Sequence, residues 1–188
     1  KYRGRRFNND RAPYLVEPLR CLSPESPIQE VRLMFPAQSG KSTCGELAVM
    51  YYIVEHPSEI LYVSSDERNA AKWMQRRIEP RARAAGVVFR SSSESKISRR
   101  TGDTTFSKEF SGGNIDMASA LAIGQLTSET KRIVIADEVD RWRLTLGPDG
   151  LVWDQMAARA IAWADEKKVL AMSTPTIATL SIIAQLYE

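Results

Sequence analysis

The chain has 188 residues, of which 43% are apolar and 26% charged, and its formal net charge at pH 7 is +3. This composition excludes the disordered and fibrous classes, and no apolar run approaches the roughly 20 residues of a membrane span. Two cysteines and one histidine are too few for a disulfide framework or a zinc site, so a reducing compartment is expected.

The small net charge conceals two unlike halves. Residues 1–100 carry 18 basic and 11 acidic side chains, whereas residues 101–188 carry 8 and 12. Of the 26 cations, 18 are arginine, whose guanidinium group matches the geometry of phosphate. The first half is therefore suited to contact phosphates, although a solvated surface explains the same charge equally well.

In chain order, the sequence predicts a flexible basic arm at residues 1–11 and one folded domain over residues 12–188. Within that domain, apolar strands alternate with helical patterns. Strands are predicted at 28–35, 59–64, 132–136 and 168–172, with shorter pieces at 87–90, 104–110 and 114–118. Helices are predicted at 15–22, at 42–55, from 65 to a limit set by Pro80 and Gly86, and at 152–163. This alternation predicts an α/β fold with a mostly parallel central sheet flanked by helices.

The segment between the first strand and the first long helix reads Phe35-Pro36-Ala37-Gln38-Ser39-Gly40-Lys41-Ser42-Thr43. A phosphate-binding loop reads G-x-x-x-x-G-K-[ST], so Phe35 replaces its first glycine while the second glycine, the lysine and the hydroxyl are present. Backbone amides at a helix amino terminus bind anions. Lys41 is predicted to reach the β- and γ-phosphates and Ser42 to hold Mg²⁺, although Gly-Lys-Ser also begins ordinary helices.

Two carboxylates, Asp137 and Glu138, follow the apolar strand Ile133-Val134-Ile135-Ala136. This is the Walker B arrangement, in which Asp137 is predicted to hold Mg²⁺ and Glu138 to orient and polarise the attacking water. A polar turn is the alternative for the carboxylates alone. However, the strand follows the phosphate loop in the order that an additional-strand (ASCE) ATPase requires, so the two motifs together predict nucleotide hydrolysis.

The last predicted strand leads into Ser173-Thr174-Pro175-Thr176. In P-loop translocases and helicases, hydroxyl side chains at this place sense the γ-phosphate and couple hydrolysis to motion. Alone, the segment reads as a turn with a proline. As the third element in the expected order, it supports the ATPase interpretation.

Four segments carry a family resemblance: APYLVEPLRCLSP, PAQSGKS, RIVIADEVDRW and VLAMSTPTIATLSIIAQLYE. Together they resemble the large terminase subunit of tailed bacteriophages, of the lambda-type group, over most of residues 11–188. The resemblance implies the P-loop ATPase domain of a motor that hydrolyses ATP with Mg²⁺ to translocate double-stranded DNA into a procapsid. The family has a nuclease domain after the ATPase domain. The nuclease carboxylates have no counterpart in this sequence, so no nuclease activity is expected of it.

The resemblance also implies partners and a location. The partners are double-stranded DNA, further copies in a homo-oligomeric ring on the portal protein, and the small terminase subunit. The location is the host cytoplasm, with no membrane.

Carried over by position, the resemblance assigns roles to three groups of residues. The nucleotide group is Gln38, Ser39, Gly40, Lys41, Ser42 and Thr43; the carboxylates are Asp137 for metal and Glu138 for catalysis; and the coupling group is Ser173, Thr174 and Thr176. Tyr14 stands where the family has its adenine-contacting segment. An exposed ring there is suited to stack on adenine, and a core tyrosine fits equally well.

No motif fixes the catalytic arginine. Many terminases have an arginine after a leucine ahead of the Walker B strand, but here Thr127 follows Leu126. The candidates are Arg99, Arg100, Arg141, Arg143 and Arg159. Arg159 is preferred because related sequences tend to have arginine on the helix before the coupling strand. A structural ion pair is the alternative.

Arg68, Lys72 and Arg76 recur every four residues on a predicted helix, so they form one basic face. Together with Arg77, Arg81 and Arg83, this row is the candidate for contact with DNA. Phosphate contacts without base readout suit a motor that is indifferent to sequence, and a solvated helix face is the alternative.

Two other functions stay open at this point. One is another ASCE DNA translocase, such as a helicase. The other is a nucleotide-binding assembly module with little hydrolysis, which the missing first glycine and the missing arginine after Leu126 suggest.

Overall fold

One sheet of seven strands organises the computed structural model, which describes residues 8–91, 106–121, 130–143, 151–177 and 179–187. The strands are β1 (Glu30–Met34), β2 (Glu59–Ser64), β3 (Arg90–Ser91), β4 (Phe106–Phe110), β5 (Gly113–Ser119), β6 (Ile133–Asp137) and β7 (Lys168–Ser173). Across the sheet their order is β1-β7-β6-β2-β5-β4-β3. The pairs from β1 to β5 are parallel, and β4 and β3 are added antiparallel. The predicted mostly parallel sheet is confirmed.

Short helices cover the sheet. They are α1 (Val16–Cys21), α2 (Lys41–Val54), α3 (Glu67–Trp73), α4 (Glu79–Ala84), α5 (Val152–Ala158) and α6 (Ile182–Gln185). A π-helical segment, Met74–Ile78, joins α3 to α4. Over the described residues, no helix has the length and apolar character needed to cross a membrane.

The two faces of the sheet carry separate apolar clusters, because successive side chains of a strand point to opposite faces. Ile133 and Ile135 of β6 belong to the cluster shared with α2 and α3. Val134 and Ala136 of the same strand belong to the cluster shared with α5 and α6. All four side chains are fully buried. Strands buried on both faces read as continuous apolar runs, which is why β6 was recognisable in the sequence.

Strand order decides where the functional segments meet. β7 lies between β1 and β6, and this inserted strand gives the additional-strand class its name. Because β1, β7 and β6 are parallel, their carboxyl ends lie at the same edge of the sheet. The segments after these ends are the phosphate loop, residues 173–176 and Asp137-Glu138, so all three meet at this edge.

The predicted strand bounds hold closely for the long strands. The strands predicted at 28–35, 59–64, 132–136 and 168–172 each end within two residues of the observed ones. Of the shorter pieces, 104–110 and 114–118 correspond to β4 and β5, whereas 87–90 is reduced to the two-residue β3.

Two helix predictions are wrong in part. Gly86 limits the helical run as predicted, since α4 ends at Ala84 and Gly86 follows in a left-handed conformation (φ +81°). Pro80 does not limit the second long helix, because it occupies the first turn of α4, where its missing N–H has no intrahelical partner to lose. The helix predicted over 152–163 ends at Ala158, and Ile161–Trp163 forms a separate 3-10 turn. The Arg159 carbonyl accepts a hydrogen bond from the Lys131 backbone N–H, which ties the chain to the start of β6 at this point.

Several predictions fall outside the described residues. They concern the first seven residues of the basic arm, the segment 122–129, and the arginine candidates Arg99 and Arg100. Within the described part of the arm, Asn9–Arg11 forms a single 3-10 turn.

Candidate active site

The phosphate loop takes two left-handed backbone conformations, at Gln38 (φ +64°) and Gly40 (φ +90°). A side chain at Gly40 would be strained in that conformation. The Ser39 hydroxyl closes the loop by donating to the Pro36 carbonyl at 2.7 Å. α2 begins directly afterwards at Lys41, and no side chain of the described chain caps it. The amides of its first turn therefore lack intrahelical partners, which suits them to bind phosphate.

Tyr14 lies against this loop. Its hydroxyl donates to the Ser39 carbonyl at 2.8 Å, and its ring meets Phe35 edge-on with centroids 5.9 Å apart. Phe35, at the position of the missing first glycine, thus supports Tyr14. Because Tyr14 is 51% exposed, it is not a core tyrosine. Its contact with adenine stays a prediction.

Lys41 connects all three motifs. Its side chain is only 6% exposed, and its ammonium lies 3.4 Å from Glu138 Oε1. The same ammonium donates to the Thr174 hydroxyl at 2.6 Å. The phosphate-loop lysine, the catalytic carboxylate and one coupling hydroxyl predicted from the sequence therefore meet at one point.

Glu138 has an unusual backbone for a non-glycine residue, with φ +54° and ψ +50°. Such conformations cost about 1–3 kcal/mol and persist only where the surroundings enforce them. The carboxylate lies between two cations, Lys41 on one side and Arg141 Nε at 3.7 Å on the other. The chain thus holds this carboxylate at a fixed place beside the phosphate loop.

Asp137 accepts a hydrogen bond on Oδ2 from the Tyr62 hydroxyl at 2.7 Å. Its backbone carbonyl accepts another from Trp142 Nε1 at 3.1 Å. Burial is the main cause that raises the pKa of Asp137 to about 6; the neighbouring charge of Glu138 adds to it, while the Tyr62 hydrogen bond and Lys41 oppose it. A carboxylate with such a pKa is a site where a cation is favourable.

The residues at this place fit Mg²⁺. Asp137 Oδ1 is buried and has no hydrogen-bond partner among the described residues, so a cation would satisfy it. The described ranges contain no cluster of three metal-ligating side chains. Mg²⁺ needs none, because it binds through one or two protein oxygens together with water and phosphate. Asp137 and the Ser42 hydroxyl, in the first turn of α2, are the two oxygen donors that would hold it.

The coupling residues divide into two groups. Thr174 contacts Lys41. Ser173 Oγ instead accepts a hydrogen bond from the Asp140 backbone N–H at 3.1 Å, and the Thr176 hydroxyl donates to the Asp140 carboxylate at 3.1 Å. Only one of the three hydroxyls therefore faces the phosphate loop, and the other two hold the turn after Glu138.

Arg159 does not join the site of its own chain. Its carbonyl bonds to the backbone N–H of Lys131, which precedes β6, whereas Asp137 ends β6. Lys131 and Asp137 are six positions apart, and six residues of extended chain span about 20 Å. The Arg159 backbone therefore lies near the amino-terminal end of β6, whereas Asp137 and Glu138 lie at its carboxyl end. Among the described candidates, Arg141 lies beside Glu138, with its Nε 3.7 Å from the carboxylate.

The basic row Arg68, Lys72 and Arg76 is exposed throughout. Its spacing changes within the row, because Arg76 lies in the π-helical segment. On the buried side of the same helical run, Trp73 stacks on Tyr62 with a centroid distance of 3.8 Å and an interplanar angle of 5°. The helix with the basic row therefore contacts the tyrosine that bonds to Asp137.

Neighbouring arginines have a different role. Arg77 and Arg81 pair with Glu46 of α2 at 3.5 and 2.9 Å, and the Glu46 side chain is 6% exposed. These two arginines therefore attach the helical run to α2, although their side chains stay 60% and 43% exposed. Arg83 of the same run is exposed as well.

Sequence reasoning missed two residues that contact the candidate site. Tyr62 stands inside the apolar strand Ile60-Leu61-Tyr62-Val63 and reads as core, since nothing local shows what its hydroxyl meets. Asp140 follows Asp137-Glu138 in the sequence and reads as one more charge of a polar turn. The only available signal was its position two residues after Glu138.

A phosphate loop that opens a helix, and paired carboxylates two strands away across an inserted strand, are the arrangement of a P-loop ATPase of the additional-strand class. Within that class, the sequence profile of the phage terminase large subunit gpA ATPase domain matches residues 3–188. The chain belongs to this family. No curated protein sequence matches it significantly.

Solved structures give the same fold. The large terminase of a thermophilic bacteriophage superposes with a TM-score of 0.62 at 11% identity, over 87% of this chain and 39% of that one. The same terminase in complex with ADP gives a TM-score of 0.59 at 11% identity, over the same shares. The large terminase ATPase domain of Thermus phage P74-26 gives 0.54 at 12% identity, over 81% of this chain and 62% of that one. The chain thus spans about two fifths of the first of these proteins.

Proposed function

We propose that this chain is the ATP-hydrolysing part of a terminase motor that translocates double-stranded DNA into a phage procapsid. The observation that carries the proposal is the meeting of Lys41, Glu138 and Thr174. Lys41 contacts both Glu138 and Thr174, which belongs to the segment after β7. A change at Glu138 during hydrolysis can therefore be transmitted to that segment.

The chemistry follows from the placement of the side chains. The first-turn amides of α2 and the Lys41 ammonium bind the phosphates. Asp137 and Ser42 would hold Mg²⁺, which would supply charge neutralisation at the phosphates. Glu138 accepts a hydrogen bond from the attacking water and aligns it. The exposed ring of Tyr14 beside the loop covers the base.

Nucleotide binding is supported by relatives of the same fold. One structure of the thermophilic phage terminase contains ADP, and we infer that this chain binds adenine nucleotides in the corresponding loop. The family also supports the packaging partners: DNA, a ring of copies on the portal, the portal protein and the small terminase subunit. We place this activity in the host cytoplasm, where a procapsid is filled.

DNA is proposed to contact the basic row of Arg68, Lys72 and Arg76. The three side chains are exposed, and no ion pair links them to the rest of the described chain. Contacts from such a row go to phosphates, which carry no sequence information. That suits a motor that must move any sequence.

We propose that Arg159 acts in trans on the site of a neighbouring copy in the ring. The contact of its carbonyl with the Lys131 N–H, at the start of β6 and away from Asp137, supports this arrangement. Mixing Arg159→Ala copies with Glu138→Ala copies tests the role, because each supplies what the other lacks. Activity no higher than that of either variant alone would rule the trans role out.

The main experiment compares phosphate release by the wild type, Glu138→Gln and the matched control Glu55→Gln. Glu55 is exposed at the end of α2. We expect Glu138→Gln to lower turnover by a factor of about 100 or more, with Glu55→Gln unchanged. Hydrolysis that does not depend on Glu138 would favour a nucleotide-binding assembly module. Strand separation by the protein would favour a helicase.

A further inference from the structure

Asp140, two residues after Glu138, is the centre of a hydrogen-bond cluster outside the phosphate and metal sites. Its Oδ2 accepts from the backbone N–H of Thr176 at 2.9 Å and from the Thr176 hydroxyl at 3.1 Å. Its Oδ1 accepts from the Ile183 N–H, in the first turn of α6, at 2.8 Å. Its own N–H donates to Ser173 Oγ at 3.1 Å. One residue thus connects the turn after Glu138 to both ends of the segment that follows β7.

These bonds complete a closed ring of contacts. Thr174 lies between Ser173 and Thr176 and accepts a hydrogen bond from Lys41. Lys41 in turn lies 3.4 Å from Glu138 Oε1, and Asp140 is joined to Glu138 by a short 3-10 turn, Val139–Arg141. Because hydrogen bonds tolerate only a narrow range of lengths, a shift of Lys41 away from Thr174 or Glu138 opens this ring of contacts.

The two carboxylates of this turn differ in how firmly they are held. Burial raises the pKa of Asp140, but hydrogen bonds from Ile183, Ser181 and Thr176 lower it overall, so Asp140 is ionised at neutral pH. Hydrogen bonds to an ionised acceptor are about twice as strong as neutral ones. Glu138, by contrast, has a strained backbone that its surroundings must support.

Packing adds to the hydrogen bonds. Val139, between the two carboxylates, and Ile183 of α6 are both fully buried in the same apolar cluster. The turn and α6 therefore share both a hydrogen-bonded and an apolar contact, and Asp140 is the hydrogen-bonded part of it.

We propose that Asp140 is a positioning residue for hydrolysis: it fixes the turn that carries Glu138 to the segment Ser173–Thr176 and to α6, so that the catalytic carboxylate and α6 move as one unit. The inference rests on the proposed hydrolysis at Glu138. In the described chain, the contacts of Asp140 are to this segment and to α6. Loss of the Asp140 carboxylate therefore lowers the turnover rate and leaves the affinity for nucleotide unchanged.

Asp140→Asn tests this directly. The variant keeps the size of the side chain but removes its charge, and its amide group presents N–H donors where Asp140 accepts only. We expect kcat for ATP to fall by about 10- to 100-fold, the range that a misplaced catalytic group produces. KM for ATP and the affinity for labelled ADP should change by less than about threefold. Asp154→Asn, at an exposed position of α5, is the matched control and should behave as wild type.

Variants of Thr176 separate positioning from simple stabilisation. Thr176→Ser keeps the hydroxyl that donates to Asp140 and should retain most of kcat, whereas Thr176→Val removes it and should lower kcat. Combined with Asp140→Asn, Thr176→Val should add little, because both changes break the same contact. A purely structural anchor would give equal kcat values per folded molecule in all these variants, with changes only in the melting temperature, and that result would overturn the inference.

The outcomes also distinguish this inference from the proposed function. If hydrolysis by the wild type does not depend on Glu138, the proposed function fails and Asp140 has no reaction to support. If hydrolysis depends on Glu138 but Asp140→Asn retains the wild-type kcat, only the positioning role is overturned.

Discussion

Lys41 Nζ lies 2.6 Å from the hydroxyl of Thr174, a residue 133 positions later in the chain. One belongs to the loop that opens α2, and the other to the segment that follows the inserted strand β7. The contact joins the segment after β7 to the lysine of the phosphate-binding motif, whose buried ammonium also lies 3.4 Å from Glu138 Oε1.

The first prediction concerns this contact. Thr174→Val removes the hydroxyl that accepts from Lys41 and should lower the rate of ATP hydrolysis by about 10-fold, since one interaction at the reacting phosphate is lost. Thr174→Ser should retain most of the rate. Thr179→Val, at an exposed position, is the control. Steady-state phosphate release measures all three, and equal rates for the valine and serine variants at position 174 would contradict the prediction.

The second prediction concerns the Tyr62–Asp137 hydrogen bond. Tyr62→Phe frees Asp137 to rotate and should weaken divalent metal binding by about 10-fold, as loss of a partner that orients a metal ligand does. Mn²⁺ titration followed by electron paramagnetic resonance measures the affinity directly.

Tyr52→Phe is the matched control for this experiment. Tyr52 is also buried, and its hydroxyl donates to the Leu22 carbonyl at 2.7 Å, away from the metal site. Both variants lose one buried hydrogen bond and should be destabilised by about 1 kcal/mol. Only Tyr62→Phe should change Mn²⁺ affinity, so equal losses in both would assign the effect to stability.

The third prediction is a pH dependence of stability. Burial raises the pKa of Asp137 from its ordinary 3.8 to about 6 in the folded chain, so between these pH values the folded state binds more protons than the unfolded state. Stability in EDTA should therefore fall as the pH rises from about 4 to about 6, by up to about 3 kcal/mol. Asp137→Asn cannot ionise and should be more stable than wild type at pH 7, with the difference disappearing near pH 4. Urea unfolding at the two pH values measures this, and an Asn variant no more stable at pH 7 would refute it.

The fourth prediction concerns a buried ion pair between Lys131 and Asp116, whose side chains are each 3% exposed. Lys131→Met removes the cation beside the buried Asp116 carboxylate and should lower the free energy of unfolding by about 3–5 kcal/mol. The double variant Lys131→Met/Asp116→Leu should recover part of this loss, because the carboxylate that lost its cation is removed as well. Thermal and urea unfolding measure both. A double variant as unstable as the single one would show that the pair is not the cause.

The fifth prediction concerns DNA. Changing Arg68, Lys72 and Arg76 to glutamate should abolish binding to double-stranded DNA at 150 mM salt and reduce the slope of log affinity against log salt by about 3. The control changes Arg11, Arg20 and Lys167 to glutamate, which alters the net charge equally. Fluorescence anisotropy over a salt series measures both. If the two triple variants lose affinity equally, net charge and not the basic row attracts DNA.

Local sequence predicted the elements that local physics decides. β6 was evident because a strand buried on both faces must be continuously apolar, and α2 because the motif Gly40-Lys41-Ser42 is typical of a helix start. The helix breaks were harder. Pro80 was predicted to limit a helix but lies in the first turn of α4. A proline breaks a helix in its interior and is tolerated in its first turn. Which of the two applies depends on where one helical segment ends and the next begins.

For the candidate site, the sequence by itself determined which residues are available for the chemistry: Lys41, Asp137, Glu138 and the hydroxyls at 173–176. These residues follow strand ends, and strand ends are readable because apolar runs stop there. Only the tertiary structure decided which of them meet. The order of strands placed Thr174 on Lys41, Ser173 and Thr176 on Asp140, and Tyr62 on Asp137. Such contacts join residues far apart in the chain, and their pairing depends on which strands become neighbours, a property that no local pattern encodes.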